Sequence, residues 1–160
     1  MAYIMQTEGV DTIKKMLDRL GQTAQQSASK ALYKGAGIMA DEMERQAGSI
    51  KTAPFHYAVF LQREPSPEEK AIVEGAVGIS RFRKDGNNVQ TSVGYGNAGY
   101  AEIAGKRKPI PLIANAINSG TSFMQKQPFV RKAANRASSK ASAAIKESIE
   151  ADIEAITKQG

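Results

Sequence analysis

Residues 110–134 predict a sharp corner between two helices, and this corner constrains the fold more than any other stretch. An apolar run, Ile110-Pro-Leu-Ile-Ala-Asn-Ala-Ile, is followed by Gly120-Thr121, and a second helical pattern begins at Pro128-Phe129. Glycine ends helices in a left-handed conformation at little cost, and proline fits a first helical turn because no needed donor is lost there. The pattern therefore predicts a short apolar helix, a turn at Gly120 and a long second helix.

Apolar stripes at helical spacing predict long helices at both ends of the chain. The first stripe, at Ile13, Met16, Leu17 and Leu20, predicts a short helix that begins near Asp11 and ends at Gly21. A second helix is expected from about residue 22 to 46, and the last is expected to run from Phe129 with apolar residues to Ile156. Small residues in the second helix indicate close packing, with a sheet of the same chain as one candidate neighbour: Ala31, Gly35 and Ala36.

Strand signals lie in the middle of the chain. Residues 76–95 alternate apolar and polar side chains around Asp85-Gly86, which is a strong turn pair for a β-hairpin. Phe55–Leu61 is rich enough in aromatic and branched residues for a short strand, and Ser66-Pro-Glu-Glu predicts a capped helix through about Gly75. We therefore predict an α+β fold of one domain over residues 1–160, with an antiparallel sheet and hairpin packed against a long N-terminal and a long C-terminal helix.

The charge is basic and unevenly placed. The net charge is +6, and residues 81–140 hold eleven Lys or Arg residues against two acids. The densest group, Lys106-Arg107-Lys108, is expected on an exposed loop between Gly94 and Pro109. There it is either a solvated loop tip or a contact for DNA phosphates or an acidic partner. No segment reads as a signal peptide or a membrane span, which predicts a chain that does not enter a membrane.

Catalytic chemistry finds little support in the sequence. There is one histidine, His56, and no cysteine, so a nucleophile with a histidine base or a zinc site has few available groups. Residues Gly94–Gly99 match the G-x-G-x-x-G pattern, but no helix opening or acidic residue follows at the spacing that a dinucleotide site needs. We predict no enzyme activity and no catalytic, cofactor-binding or metal-binding residue.

The order of these features resembles a family of phage proteins. An apolar helix, then Ser119-Gly-Thr-Ser122, a short spacer and Pro128-Phe-Val-Arg-Lys-Ala133 resemble the signature of the tail-completion or head-to-tail joining proteins of long-tailed bacteriophages. The short first helix, the alanine-rich second helix and the hairpin come in the family's order. Family members usually have an acidic-aromatic pair before Gly-Thr, where this chain has Asn118-Ser119.

The resemblance implies a structural role without catalysis. It implies a homo-oligomeric ring, commonly of six copies, at the head–tail junction or the top of the tail, in contact with neck, connector and tail-tube proteins and with packaged DNA. Such a protein is found in the virion, and in the host cytoplasm during assembly. The candidate subunit or partner interface is Gly120, Thr121, Phe123, Met124, Pro128 and Phe129.

Two questions stay open at the level of sequence. Phe123 and Met124 are apolar residues in a polar segment, so they either contact a neighbouring subunit or tuck onto the core. Lys106, Arg107 and Lys108 either face a central DNA channel or dock an acidic partner. The alternative function is a basic DNA-associated accessory protein of a mobile element, which would bind DNA without sequence preference and in a salt-dependent way.

Overall fold

The computed structural model describes the backbone of residues 8–53, 62–86 and 88–159, and side chains at residues 18 and 20–53 and throughout the later ranges. His56 and the strand predicted at Phe55–Leu61 lie outside the described residues. Four helices occupy most of the described chain: α1 (Glu8–Gly48), α2 (Pro67–Gly75), α3 (Ile110–Ser119) and α4 (Phe129–Lys158). Together with small antiparallel sheets they confirm the predicted α+β class.

Helix α1 is continuous where the sequence predicted two helices. Gly21 was expected to end the first helix, but it lies inside α1, which runs for 41 residues. A Cβ atom at Gly21 would meet nothing within 4 Å, so no close contact requires glycine there. A glycine inside a helix costs only about 1 kcal/mol relative to alanine. The neighbouring helix formers, among them Leu20 and Gln22, are enough to carry the helix through it.

Helices α1 and α4 pack as an antiparallel pair. Lys30 pairs with Asp152 at 3.1 Å, whereas Gly35 lies beside Ile145, so later residues of α1 meet earlier residues of α4. A Cβ atom at Gly35 would lie 2.6 Å from Ile145 Cδ1. The predicted close packing of the small residues is therefore confirmed, but the neighbour at Gly35 is helix α4 and not a sheet. The contact face of α4 consists of buried alanines: Ala133, Ala137 and Ala141.

The predicted hairpin is present as four short strands: β1 (Gly78–Ile79), β2 (Arg83–Asp85), β3 (Asn88–Gln90) and β4 (Val93–Gly94). Strand β1 pairs with β4 and β2 with β3, both antiparallel. Gly86 has a φ of +57°, as a tight hairpin turn requires. Three residues, 80–82, lie opposite two, 91–92, so one extra residue separates the two pairings, as in a β-bulge.

A second hairpin replaces the loop that was expected between Gly94 and Pro109. Strand β5 (Tyr100–Ile103) pairs antiparallel with β6 (Lys106–Pro109). The two residues between them, Ala104 and Gly105, have positive φ values of 50° and 72°. Positive φ at both central positions is the geometry of the type I′ turn, which matches the twist of paired strands. Because Ala-Gly is not one of the strong pairs for this turn, the sequence pattern did not reveal it.

The apolar core lies where α1, α3 and the start of α4 meet the two hairpins. Its fully buried centre includes Val73 of α2 and Ile117 of α3. The predicted start of α2 is confirmed: Ser66 Oγ accepts from the Glu69 amide at 3.1 Å, and the Glu69 carboxylate accepts from the Ser66 amide at 2.9 Å. The other buried apolar residues of this cluster are Met43, Ala47, Ile50, Tyr95, Ile103, Ile110, Ile113, Ala114, Met124, Phe129 and Ala133.

Candidate interaction site

The corner between α3 and α4 is built on Gly120. Its φ of 78° is positive as predicted, but its ψ of 165° places it in an extended region rather than the left-handed helical one. Only glycine enters that region without strain. A Cβ atom at Gly120 would also lie 3.0 Å from Lys126 Cβ and 3.2 Å from Lys126 Cα. The chain therefore doubles back closely at this residue, and glycine is required there.

Thr121 closes the loop that follows. Its hydroxyl oxygen accepts hydrogen bonds from the Phe123 amide at 3.2 Å and the Met124 amide at 3.0 Å. Its own amide donates to the Met124 carbonyl at 3.0 Å. The four residues from Thr121 to Met124 thus form a small loop fixed by one side chain and the backbone.

Phe123 points outward from this loop and Met124 points inward. The Phe123 side chain is 79% exposed, whereas Met124 is only 5% exposed and belongs to the core. The structure thus places Met124 on the core and leaves Phe123 uncovered by the described part of the chain. The loop therefore presents one large apolar side chain to its surroundings.

The segment just before α2, at Gln62 and Arg63, holds the backbone on both sides of Phe123. The Arg63 amide donates to the Phe123 carbonyl at 2.9 Å, and the Gln125 amide donates to the Arg63 carbonyl at 2.8 Å. The Gln62 side-chain amide donates to the Thr121 carbonyl at 2.9 Å. Arg63 and Met124 thus form a short parallel bridge. Phe123 is exposed on a backbone that these contacts fix in place.

The Arg63 side chain anchors that segment to α2. Its guanidinium donates to both carboxylate oxygens of Glu69, at 2.7 Å and 2.8 Å. Burial raises the pKa of the Glu69 carboxyl, but hydrogen bonds from Arg63 and the Ser66 amide, with attraction to Arg63 and Lys108, hold that pKa below its ordinary value. No sequence pattern predicted this pair, because Arg63 lies in a stretch without periodicity.

Gln127 supplies a second clamp on the corner. Its side-chain oxygen accepts from the Lys51 amide at 2.8 Å, and its side-chain nitrogen donates to the Lys51 carbonyl at 2.9 Å. Its backbone amide donates to the Ile117 carbonyl at 2.8 Å. Sequence reasoning missed this residue, since one glutamine in a polar loop carries no pattern that distinguishes it.

Phe129 begins α4 and is buried, and Pro128 just before it is half-buried. The helix begins at Phe129 as predicted, with Pro128 immediately before it rather than in its first turn, and the Pro128 carbonyl accepts from the Lys132 amide at 3.1 Å. Phe129 is 3% exposed and contacts the Tyr95 ring edge-on, with centroids 6.1 Å apart. Within the candidate set, these residues and Met124 position the loop, and Phe123 is the apolar side chain available for contact.

The three basic residues Lys106, Arg107 and Lys108 lie on strand β6, so the expectation of a loop is wrong. Side chains alternate between the two faces of a strand, which separates Arg107 from the two lysines. The Arg107 guanidinium lies over the Tyr100 ring, 4.6 Å from its centroid. Lys108 is half-buried, and its charge acts on Glu69. These three charges therefore do not form one exposed patch.

Comparisons with protein-family models, with curated proteins and with solved structures found no match for this chain. Over residues 8–53, 62–86 and 88–159, none of the helices has the length and apolar character needed to cross a membrane. In the same described ranges, no three His, Cys, Asp or Glu side chains are grouped so that they could hold a metal ion.

Proposed function

We propose that this chain is a structural subunit of a tailed bacteriophage or prophage that forms a ring at the head–tail junction or the top of the tail, in tail completion, tail termination or head–tail joining. The sequence order from the apolar helix through Gly120-Thr121 to Pro128-Phe129 is the resemblance behind this proposal. In this role the protein catalyses no reaction, and its surfaces carry the function.

The observation that carries the proposal is the exposed Phe123 on a fixed loop. Aromatic side chains are enriched among the residues that dominate protein–protein binding energies. A side chain whose backbone is already ordered loses less conformational freedom when it binds, so more of the contact energy appears as affinity. In a ring, symmetry repeats the same contact in every copy, and simultaneous engagement multiplies its effect. Phe123 has the exposure and the support expected of such an anchor.

A second candidate is a basic DNA-associated accessory protein of a mobile element. The observation that favours it is the first hairpin, where Arg81, Arg83 and Lys84 are all exposed. This hairpin lies against α1, with the Phe82 and Tyr33 rings 6.4 Å apart. The isolated protein would then bind duplex DNA without sequence preference, and its affinity would fall steeply with salt. A DNA titration of the purified protein at several salt concentrations tests this candidate.

The first proposal is tested by deleting the gene from its source phage or prophage and examining lysates by electron microscopy. Filled heads with separate or abnormally long tails, restored to intact particles by the gene supplied in trans, would support a joining or terminating role. Intact particles in the deletion strain would overturn it. Salt-sensitive DNA binding in that case would favour the accessory role.

A further inference from the structure

Helix α1 projects well beyond the end of α4. From the Lys30–Asp152 pair, α1 continues for 22 residues to Glu8, whereas α4 continues for six to Lys158. At 1.5 Å per residue, α1 extends about 24 Å past its partner. The described side chains in this part, those of residues 18 and 20–22, are all exposed. We call residues 8–22 the overhang of α1.

The overhang has the sequence of an amphipathic helix. Ile13, Met16, Leu17 and Leu20 recur at the spacing of one helical face. Leu20, at the root of the overhang, is 53% exposed. Helices of this length are marginal in water by themselves and gain stability when an apolar face is buried. Burial of this apolar face against a partner would therefore stabilise the overhang.

Helix α4 carries an apolar row that α1 covers only in part: Ile145 lies against Gly35 of α1, and Ile156 borders a shallow pocket that α1 residues also line. Ile145 and Ile149 are half-buried and line a shallow groove of about 430 Å³, between Ser142 and Glu150. Ile153 and Ile156 continue the row toward the end of the helix and are 56% and 39% exposed. We call these four residues the isoleucine row. Their spacing places them along one side of α4.

The two segments carry net charges of opposite sign. Residues 12–20 contain Lys14, Lys15 and Arg19 against Asp18 alone. Residues 147–157 contain four acids and no basic residue, namely Glu147, Glu150, Asp152 and Glu154. Three of these acids also pair with lysines of their own chain, Asp152 with Lys30, Glu150 with Lys146 and Glu154 with Lys158. Complementary charges around an apolar contact speed the association of two chains and disfavour contacts in other orientations.

We infer that the overhang of α1 in one copy packs on the isoleucine row of α4 in a second copy. The overhang points away from its own α4, so these two surfaces meet only between chains. Two different surfaces in contact make a heterologous interface, which closes into a ring when the rotation between copies permits. This inference rests on the proposed ring function and assigns its subunit contact, separate from the outward Phe123.

Disulfide crosslinking tests the contact directly, because the sequence contains no cysteine. One tagged chain carries Leu20→Cys, and a second chain with a different tag carries cysteine in place of Ile145, Ile149, Ile153 or Ile156. The control replaces Ala143, an exposed residue of α4 about 160° around the helix from Ile145, by cysteine. Mild oxidation of the mixed chains should give a disulfide-linked pair for at least one row position, at five-fold or greater yield over Ala143→Cys. The inference would be overturned if no row position gave a crosslinked pair, or if every row position gave the same yield as Ala143→Cys.

Light scattering after size exclusion supplies an independent readout. Ile153→Glu changes a side chain that is more than half exposed, so the monomer should keep its circular dichroism spectrum. The variant should lose the oligomer at concentrations where the unchanged protein and Ala143→Glu retain it. An oligomer that persists in Ile153→Glu and Ile149→Glu would contradict the contact but leave the ring proposal standing. Intact particles after gene deletion would instead defeat the proposed function, whatever the crosslinks show.

Discussion

The Arg63 guanidinium binds both carboxylate oxygens of Glu69, and the same residue's backbone pairs with the loop that presents Phe123. One residue thereby joins the start of α2 to the corner between α3 and α4. The Glu69 side chain is 5% exposed and the Arg63 side chain 31%. The order of the exposed loop thus depends on a pair that is largely removed from water.

Replacing Arg63 by glutamine should destabilise the protein by roughly 3 kcal/mol, the lower end of the range for breaking a buried ion pair. The reason is that Glu69 would keep its buried charge without its main partner. Urea unfolding followed by circular dichroism measures the change. The matched control is Lys146→Gln, which breaks the exposed Lys146–Glu150 pair and should change stability by no more than about 0.5 kcal/mol. Equal effects of the two substitutions would contradict the assigned role of Arg63.

The same pair makes stability depend on acid pH. The folded-state pKa of Glu69 lies below its ordinary value. The unfolded chain therefore takes up the proton first as the pH falls. The stabilisation is complete above the ordinary glutamate pKa of about 4.3 and is lost as the pH falls through the lower folded-state pKa. Unfolding free energies of the unchanged protein and Glu69→Gln, compared from pH 7 to 3, should converge at low pH. A constant difference would contradict this linkage.

Gly120→Ala should destabilise the protein by about 1–3 kcal/mol, because the substituted residue would be forced into a backbone region that is strained for all residues except glycine. The contact with Lys126 adds to the cost. Gly21→Ala is the control, since a Cβ atom at Gly21 meets nothing within 4 Å. That change should stabilise by up to about 1 kcal/mol through helix propensity. Thermal unfolding measures the change in stability in each variant. A higher Tm in Gly120→Ala than in the unchanged protein would contradict the geometry of the corner.

Tyr95→Phe should leave the Tm unchanged or raise it. The Tyr95 hydroxyl is buried and has no hydrogen-bond partner among the residues that the structure describes. Removing a buried polar group without a partner carries little cost or a gain. The ring itself packs on Phe129, so Tyr95→Ala should cost about 3–5 kcal/mol. A loss of more than about 1 kcal/mol in Tyr95→Phe would show that the hydroxyl has a partner.

Sequence patterns predicted the structural features that depend only on residues close together in the chain. The capping box of Ser66 and Glu69 and the hairpin turn at Gly86 depend on neighbouring residues alone, and both are confirmed. Asp85 lies at the end of strand β2, opposite Asn88, and not in the turn itself. The predicted helix end at Gly21 is wrong, because a glycine that ends a helix and a glycine inside a helix cannot be distinguished by the local sequence. The β5–β6 hairpin was missed because the pattern at Ala104-Gly105 is weak.

The candidate site could be predicted only in part, because some of its contacts join residues that are far apart in the sequence. Gly120 and the loop after it follow from turn chemistry, and both were predicted. Whether Phe123 or Met124 faces outward could not be predicted, since an irregular loop has no period that fixes the direction of its side chains. The supports from Arg63 and Gln127 come from distant parts of the chain, and they became visible only with the tertiary structure.

The most direct test of the central claim is complementation of the deletion strain with Phe123→Ala, scored by electron microscopy and infective titre. Phe123 is 79% exposed, so the variant should fold with unchanged stability yet leave heads and tails unjoined or tails misterminated, with the titre reduced at least 100-fold. The control is Leu112→Ala, which truncates another exposed apolar residue, 60% exposed on α3, and should complement fully. Full complementation by Phe123→Ala would contradict the account, because the protein would then join heads and tails without the side chain assigned as its contact anchor.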